Sequence, residues 1–308
     1  MKPADTKAAG APSGFDPASG QPQILMCAPD FYGIEYEINP WMSRTKQADH
    51  AQAVRQWTNL KTVLEQAGAR ILLLEPVHGL PDLVFTANAA IVFRDWAVLA
   101  RFRYPERQGE EPHDAAWLAA AGFTVRRLAE GVYFEGAGDA LFCGDTLVAG
   151  YRIRSDVHGH HEIARMFSCR VIPLELVDPY YYHVDTCFCP LAPGVAIYYP
   201  DAFDDYGRRA LAEAVPELIP VSTDEARRFA CNAVAIGRTV ITNTGCPQLH
   251  EALRARGFEC RDTPLSEFVK AGGSAKCLTL RLDGEEAAGW KEGERQKAEG
   301  RRQKEECG

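Results

Sequence analysis

One cysteine near the end of the sequence has the surroundings expected of a nucleophile. Cys277 follows a Gly272-Gly273 pair and precedes alternating apolar residues that predict a β-strand. We expect the glycines to keep the backbone flexible, so that the thiol is presented at a pocket wall. A thiolate in such a place can attack an electrophilic carbon if a proton acceptor and a proton donor lie close by.

A histidine and an aspartate could serve this thiol. His183 and Asp185 are two residues apart in a segment whose pattern predicts a strand, so their side chains would share one face. A carboxylate so placed orients the imidazole and stabilises its protonated form. The alternative is a hydrogen-bonded structural histidine, and the local pattern leaves both interpretations open.

Two further carboxylates stand where a ligand could reach them. Glu135 precedes the small residues Gly136-Ala137-Gly138, which allow close approach of the backbone, and Asp82 follows a proline at the entry of an apolar strand. Carboxylates beside a thiol suit a cationic substrate, because a guanidinium group binds them bidentately. Each residue also fits the role of a cap or turn residue.

These residues open the first strands of a recurring unit. A strand, a turn, a second strand, a helix and a third strand recur at roughly 40–50 residues, a period typical of arrays and propellers. The units begin with small or polar residues: Asn88, Glu135, His183, Asn232 and Cys277. Because these lie at corresponding strand ends, we expect them to converge on one central site in a closed ring within a single α/β domain.

Composition sets the domain boundaries and excludes several partners. We predict a disordered leader at 1–21, a single catalytic domain at 22–283 and a charged, flexible or helical tail at 284–308. The net charge of −8 argues against a nucleic-acid or anionic-membrane partner. No apolar run of 18 residues occurs, so we expect no membrane span.

The cysteines and histidines do not form a recognisable metal site. The ten cysteines are scattered through the chain, several of them in apolar runs, and with no export signal we expect a reducing cytoplasm. Cys187 and Cys189 lack the further ligands of a zinc site. The run 158–161 holds three histidines, and we interpret it as a polar loop rather than a metal site.

Four motifs together resemble the guanidine-modifying, or pentein, superfamily of arginine deiminases, dimethylarginine dimethylaminohydrolases and amidinotransferases. The motifs are Pro81-Asp82 with Phe85 and Asn88, Glu135-Gly136-Ala137-Gly138-Asp139, His183-Val184-Asp185-Thr186, and Gly273-Ser274-Ala275-Lys276-Cys277. The resemblance extends over 24–282. It implies a five-bladed, pseudo-symmetric α/β propeller, in agreement with the repeats.

The same resemblance assigns roles to individual residues. It implies that Cys277 is the nucleophile, with His183 as the general acid and base supported by Asp185. Asp82 and Glu135 would bind the guanidinium group, and Arg107 and Arg154 match positions that hold the substrate α-carboxylate. The full set implied for substrate binding is Asn39, Asp82, Phe85, Asn88, Arg107 and Arg154. No metal or organic cofactor is implied.

One departure from the family pattern bears on the product. Six residues after Asp82, where deiminases and dimethylarginine hydrolases usually carry an aspartate, this chain has Asn88. With the 38–42 segment, Asn88 resembles the arginine dihydrolase branch, which converts arginine to ornithine, ammonia and CO2. Some members carry an added C-terminal domain, and we expect only the hydrolase half here. An asparagine both donates and accepts hydrogen bonds, so it could hold a neutral ureido group for a second attack.

Other functions stay open at this point. Within the enzyme class, the alternatives are a single-step hydrolysis of arginine or methylarginine to citrulline and an amidinotransferase. A catalytically silent arginine-binding protein is the alternative outside it. In each case the partner is a small guanidino compound, and the chain could form a homo-oligomer.

Overall fold

The structure is a computed structural model that describes residues 15–16, 19–285 and 287–288. Its strands form five sheets of three strands each, one sheet for every predicted repeat. The strands are β1 (Gln23–Cys27), β2 (Arg70–Leu74), β3 (Ala90–Phe93), β4 (Trp96–Leu99), β5 (Thr124–Arg126), β6 (Ala140–Cys143), β7 (Thr146–Tyr151), β8 (Arg170–Glu175), β9 (Phe188–Ala192), β10 (Val195–Tyr198), β11 (Glu217–Pro220), β12 (Val234–Ile236), β13 (Thr239–Asn243), β14 (Glu259–Thr263) and β15 (Leu280–Arg281).

Helices connect the second and third strands of the sheets. The described helices are α1 (His50–Gln66), α2 (Pro105–Gln108), α3 (Glu111–Ala120), α4 (Gly136–Asp139), α5 (Val157–Phe167), α6 (Asp205–Ala214), α7 (Thr223–Ala226), α8 (Pro247–Arg254) and α9 (Ser266–Val269). One-turn 3₁₀ helices lie at Pro81–Val84, Thr86–Asn88, Val184–Thr186 and Pro200–Ala202.

All five sheets have the same internal order. A first strand pairs antiparallel with the second, which pairs in parallel with the third, as in β3-β4-β5 and β6-β7-β8. A parallel pair needs a crossover connection, and the helix between the second and third strands supplies it. The fifth sheet has the order β15-β1-β2 and therefore joins the beginning of the described chain to its end. The predicted repeat is confirmed.

Helix α1 shows how the pattern produces these crossovers. Asp49 caps its first turn by accepting a hydrogen bond from the Gln52 amide, at 2.9 Å. Its buried face carries Trp57, Leu60 and Leu64 at helical spacing. The chain then reverses at 68, where a glycine adopts a positive φ, and enters β2.

The structure differs from the predicted elements at the inner ends of the repeats. The segments before β3, β6, β9, β12 and β15 are single helical or hydrogen-bonded turns, and the prediction that the site residues begin strands is wrong. The prediction also missed α3 and β5, which are the helix and the third strand of the unit that begins at Asn88. The alternation of apolar residues in these segments predicted strands. A buried turn shows a similar pattern, because it packs apolar side chains on several sides.

Both ends of the predicted domain extend further than expected. Phe15, within the predicted leader, packs its ring 4.7 Å from that of Phe123. In the predicted tail, Glu285 forms an ion pair with Lys276 at 2.5 Å, and Ala288 is buried. The leader is therefore not wholly disordered and the tail not wholly solvated, whereas 1–14, 17–18, 286 and 289–308 lie outside the described residues.

Candidate active site

The predicted site residues lie together because the turns that precede the first strands of the sheets pack at one place. The turns that carry Asn88, Glu135 and Asp185 pack against one another, and the turn with Cys277 packs beside them. A single pocket is lined by Ile38, Asn39, Asp82, Phe85, Asn88, Arg107, Arg154, Tyr182, Ala271 and Cys277. The prediction of one central site from several repeats is thus consistent with the geometry.

Cys277 is held by two polar partners. Asn232 Nδ2 lies 3.1 Å from Cys277 Sγ, and Asn232 Oδ1 accepts a hydrogen bond from the Cys277 amide at 3.1 Å. Asp185 Oδ2 lies 3.4 Å from the sulfur on another side. Burial and the neighbouring Asp185 raise the pKa of Cys277 well above its usual value. Both effects favour the thiol of Cys277 over its thiolate.

His183 is oriented by Glu135 and not by Asp185. Its Nε2 lies 2.7 Å from Glu135 Oε2, whereas Asp185 contacts the sulfur of Cys277. The predicted shared strand face is wrong because 184–186 form a 3₁₀ turn, in which residues two apart point in different directions. Sequence distance was a poor guide here, since the partner lies 48 residues away.

Opposing effects set the charges of this pair. Burial lowers the pKa of His183 to about 4, although Glu135 acts in the opposite direction. For Glu135, burial alone would raise the pKa, but Arg154 and His183 outweigh burial and hold it below its usual range. A neutral imidazole beside an ionised carboxylate donates through Nε2, which leaves Nδ1 as the proton acceptor.

Arg154 is enclosed rather than exposed to solvent. Its Nη1 donates to Glu135 Oε2 at 2.9 Å and its Nη2 to the Ile38 carbonyl at 2.9 Å. The rings of Tyr104 and Tyr182 lie 4.7 and 4.6 Å from the guanidinium carbon. Its buried Nε has no hydrogen-bond partner among the described residues.

Arg107 forms hydrogen bonds with two other residues that line the pocket, Asn88 and Asp82. Its Nη1 donates to Asn88 Oδ1 at 2.8 Å, and its Nη2 donates to the Asp82 carbonyl at 3.2 Å. Asn88 Nδ2 in turn donates to the Glu135 carbonyl at 3.1 Å. The Asn88 amide is thus held from both ends, by a donor on one side and an acceptor on the other.

Asn39 and Phe85 fix the wall that carries the cysteine. Asn39 Nδ2 donates to the Ala271 carbonyl at 3.0 Å. A side chain at Gly273 would overlap the ring of Phe85, and Gly272 has a φ of +83°. The glycines therefore permit close packing in a buried segment, and the predicted flexible approach is wrong.

Two buried carboxylates beside Cys277 each have one oxygen that forms no well-aligned hydrogen bond among the described residues, namely Asp82 Oδ1 and Asp185 Oδ1. The buried Tyr36 hydroxyl is close enough to Asp82 to lower its pKa. Burial raises the pKa of Asp82, and it raises that of Asp185 to about 7. A cation that donates several hydrogen bonds would satisfy both oxygens and favour their ionised forms.

The described residues offer no place for a metal ion. They contain no group of three or more His, Cys, Asp or Glu side chains that could hold one. The 158–161 run, predicted as a polar loop, lies in the first turns of α5, and His160 is fully buried there. No helix within 19–285 is both long and apolar enough to cross a membrane.

Sequence reasoning missed two residues of this arrangement. Asn232 was recognised as the polar residue that opens the fourth unit, but we gave it no role at the thiol. Glu110 was not considered, although an Arg107-to-Glu110 spacing of three residues favours an ion pair within a helical turn. Asn232 stands at the same point of its repeat as Asn88 and Glu135, and this position was the signal that could have assigned it to the site.

Five α/β repeats around a buried cysteine, histidine and carboxylate set define the guanidine-modifying, pentein class of enzyme. A family model described as eukaryotic N,N dimethylarginine dimethylhydrolase matches residues 35–283. The chain belongs to this family.

Curated relatives include enzymes with two different activities. The chain is 47% identical to the bifunctional arginine dihydrolase/ornithine cyclodeaminase ArgZ of Synechocystis sp., over 84% of this chain and 37% of that protein. It therefore spans somewhat over a third of that relative. It is 39% identical to the N(G),N(G)-dimethylarginine dimethylaminohydrolase of Mycobacterium tuberculosis, over 89% of each chain.

Solved structures agree in fold. The N-terminal domain of ArgZ, described as a cyanobacterial arginine dihydrolase bound to substrate, matches with a TM-score of 0.83 and 46% identity, over 85% of this chain and 98% of that one. A dimethylarginine dimethylaminohydrolase matches with a TM-score of 0.72 at 19% identity, over 85% and 99% of the two chains, and shares the fold.

Proposed function

We propose that this chain hydrolyses the guanidino group of L-arginine to give ornithine, two molecules of ammonia and CO2, consuming two molecules of water. The observation that carries this proposal is a pair of buried carboxylates beside Cys277: Asp82 lines the same pocket, and Asp185 Oδ2 lies 3.4 Å from the sulfur. A guanidinium group presents N–H donors in a planar fork that suits two such acceptors. The relative ArgZ supports arginine as the substrate.

The substrate itself would activate the nucleophile. Burial and the neighbouring Asp185 raise the pKa of the Cys277 thiol. A guanidinium cation bound beside Asp185 reverses the local field and favours the thiolate. The thiol proton passes to His183 Nδ1, and the sulfur bonds to the guanidinium carbon.

The first half of the reaction ends in citrulline. His183 returns its proton to the leaving nitrogen, and ammonia departs from the tetrahedral adduct. A water molecule, deprotonated by His183, then attacks the thiouronium carbon and releases the sulfur. Glu135 keeps Nε2 of the imidazole engaged, so that Nδ1 performs each transfer.

Asn88 is the proposed reason that citrulline stays for a second attack. Its amide lines the pocket and is held by Arg107 and the Glu135 carbonyl. An aspartate there would keep the Arg107 contact but place an oxygen against the Glu135 carbonyl oxygen. It would also lose the donor that a neutral ureido oxygen requires.

The carboxylate end of the substrate is assigned to the arginines. Arg154 has an unpartnered Nε, and both Arg107 and Arg154 line the pocket. Asn39 and Phe85 complete the proposed binding wall.

Solution oligomers and a cytoplasmic location stay predictions, to be checked by light scattering and by fractionation.

A product count tests the proposed function. The protein is incubated with L-arginine, and ornithine, citrulline and ammonia are quantified together, with Cys277→Ser as the control. Two ammonia per ornithine are expected, and Cys277→Ser should retain less than about a thousandth of the activity. One ammonia per citrulline would instead establish a deiminase.

The principal rival is a methylarginine hydrolase, which the Mycobacterium tuberculosis relative favours. Dimethylarginine in the same assay would then release dimethylamine with a higher kcat/KM than arginine releases ammonia.

The Asn88→Asp variant addresses the second attack directly. Released citrulline should rise at the expense of ornithine, and an unchanged ornithine yield would count against the role of Asn88.

A further inference from the structure

A buried carboxylate outside the pocket lining holds one of the pocket arginines in place. Glu110 Oε1 accepts from Arg107 Nε at 2.9 Å, and Glu110 Oε2 accepts from Arg107 Nη2 at 2.7 Å. Glu110 is 2% exposed and Arg107 is 3% exposed. This bidentate pair fixes the plane of the guanidinium group as well as its position.

The backbone around this pair leaves little freedom. Arg107 lies in the short helix α2, and the Glu110 amide donates to the Arg107 carbonyl at 2.9 Å. Gly109 lies between the helices, where a Cβ would lie 2.9 Å from the side chain of Leu80. The ring of Phe102 covers the guanidinium group, 4.4 Å from its central carbon.

We infer that Glu110 is a positioning residue, which aims the Arg107 guanidinium so that its Nη1 holds the Asn88 amide in the pocket. The inference rests on the proposed function in so far as Asn88 retains citrulline. Without the bidentate contact, Arg107 can turn towards the Asp82 carboxylate, whose Oδ2 already lies 3.9 Å from Nε. Asn88 then loses the donor that orients its carbonyl oxygen.

A purely structural ion pair would behave differently. Loss of Glu110 would then lower stability and reduce every activity alike, whatever residue occupies position 88. A positioning role predicts instead that the effects of Glu110 and Asn88 on kcat/KM are coupled. Once either side chain is removed, removing the other should cause a smaller further loss.

The test is a double-mutant cycle of Glu110→Gln and Asn88→Ala, measured as kcat/KM for consumption of arginine. Glu110→Gln should cost about a hundredfold in the wild-type background, as expected for a misplaced active-site group. In the Asn88→Ala background it should cost only about tenfold, because Arg107 still binds the substrate carboxylate but no longer has Asn88 to hold. An equal loss in both backgrounds, within about twofold, would overturn the inference.

The ratio of citrulline to ornithine gives a second measurement, which a loss of stability alone would not change. Glu110→Gln should raise the ratio of citrulline to ornithine, whereas Glu225→Gln should leave it unchanged. Glu225 is a matched control, since it is also buried and accepts two hydrogen bonds, from the Gln248 and Leu249 amides, none of which lines the pocket. An unchanged ratio in Glu110→Gln would contradict the inference.

A charge-preserving variant guards against a failure to fold. Glu110→Asp keeps the negative charge, but its side chain is one methylene shorter, so its carboxylate can reach Arg107 only if the guanidinium group moves from its place. It should show the same raised product ratio and the same dependence on Asn88, and recovery of the wild-type ratio would refute positioning. Wild-type protein that makes only citrulline would refute the proposed function, while the arginine-consumption cycle still decides the inference.

Discussion

The contacts of Asn232 predict that this residue controls the reactivity of Cys277. Asn232 is fully buried, and its Nδ2 donates both to the Asp185 carbonyl at 3.0 Å and towards Cys277 Sγ at 3.1 Å. In Asn232→Asp the acceptor for the Cys277 amide is kept, but an oxygen replaces the donating nitrogen. The thiolate then loses a hydrogen bond and gains a neighbouring carboxylate.

The magnitude follows from the distance. Two unit charges 3.1 Å apart repel by about 5 kcal/mol at an effective dielectric constant of 20, so an ionised carboxylate raises the thiol pKa by about 3–4 units. Even if the new acid stays protonated, the lost hydrogen bond costs about 1 kcal/mol. We therefore expect kcat/KM for arginine to fall at least about fivefold, and more than about a thousandfold if the acid ionises.

Alkylation of Cys277 measures this effect without turnover. The rate of reaction with iodoacetamide is followed from pH 6 to 10 by mass spectrometry of the Cys277 peptide, which separates it from the other nine cysteines. The profile of Asn232→Asp should shift to higher pH. Asn243→Asp is the control, because Asn243 makes similar buried contacts to backbone groups away from the thiol. Superimposable profiles in a folded Asn232→Asp protein would refute the reasoning.

Two further predictions concern packing and acid stability. In Gly138→Ala the new methyl would overlap Asn88 Nδ2 and approach His183 Nδ1 to 3.3 Å, so we expect a loss of about 1–3 kcal/mol in stability and a large loss of activity. Gly33→Ala, where a Cβ meets nothing within 4 Å, should leave both unchanged, and an active Gly138→Ala would contradict the packing. Burial lowers the pKa of His160 to about 3, so the unfolded chain takes up a proton below pH 6.5 that the folded chain does not. Between pH 6.5 and 4 the wild type should therefore lose about 3 kcal/mol of stability relative to His160→Phe, at about 1.4 kcal/mol per pKa unit. Urea unfolding at both pH values measures the difference, and parallel losses would show that His160 is not neutral in the folded state.

The repeats and the ring-like convergence could be predicted, but the partners within the site could not. Asn88, Glu135 and Cys277 could be placed at one centre because each stands at the same point of its unit. The pairing of His183 with Glu135 depends on the twist of a 3₁₀ turn, which the alternation of apolar residues concealed. The same limit applies to Glu110, whose role arises from a turn at Gly109 and not from any repeated position.

The joining of β1 and β15 in one sheet has a consequence for biosynthesis. Ile24 pairs with Arg281 and Leu25 with Leu280, so the strand that follows the nucleophile pairs with a strand that is made long before it. A nascent chain carries Asp82, Glu135 and His183 long before it carries Cys277. Its sheets can form one after another, but no reactive thiol meets the carboxylates until the two ends of the ring have met. Ring closure and the onset of chemistry are therefore expected to be one event, and a chain that stalls before residue 277 is inert.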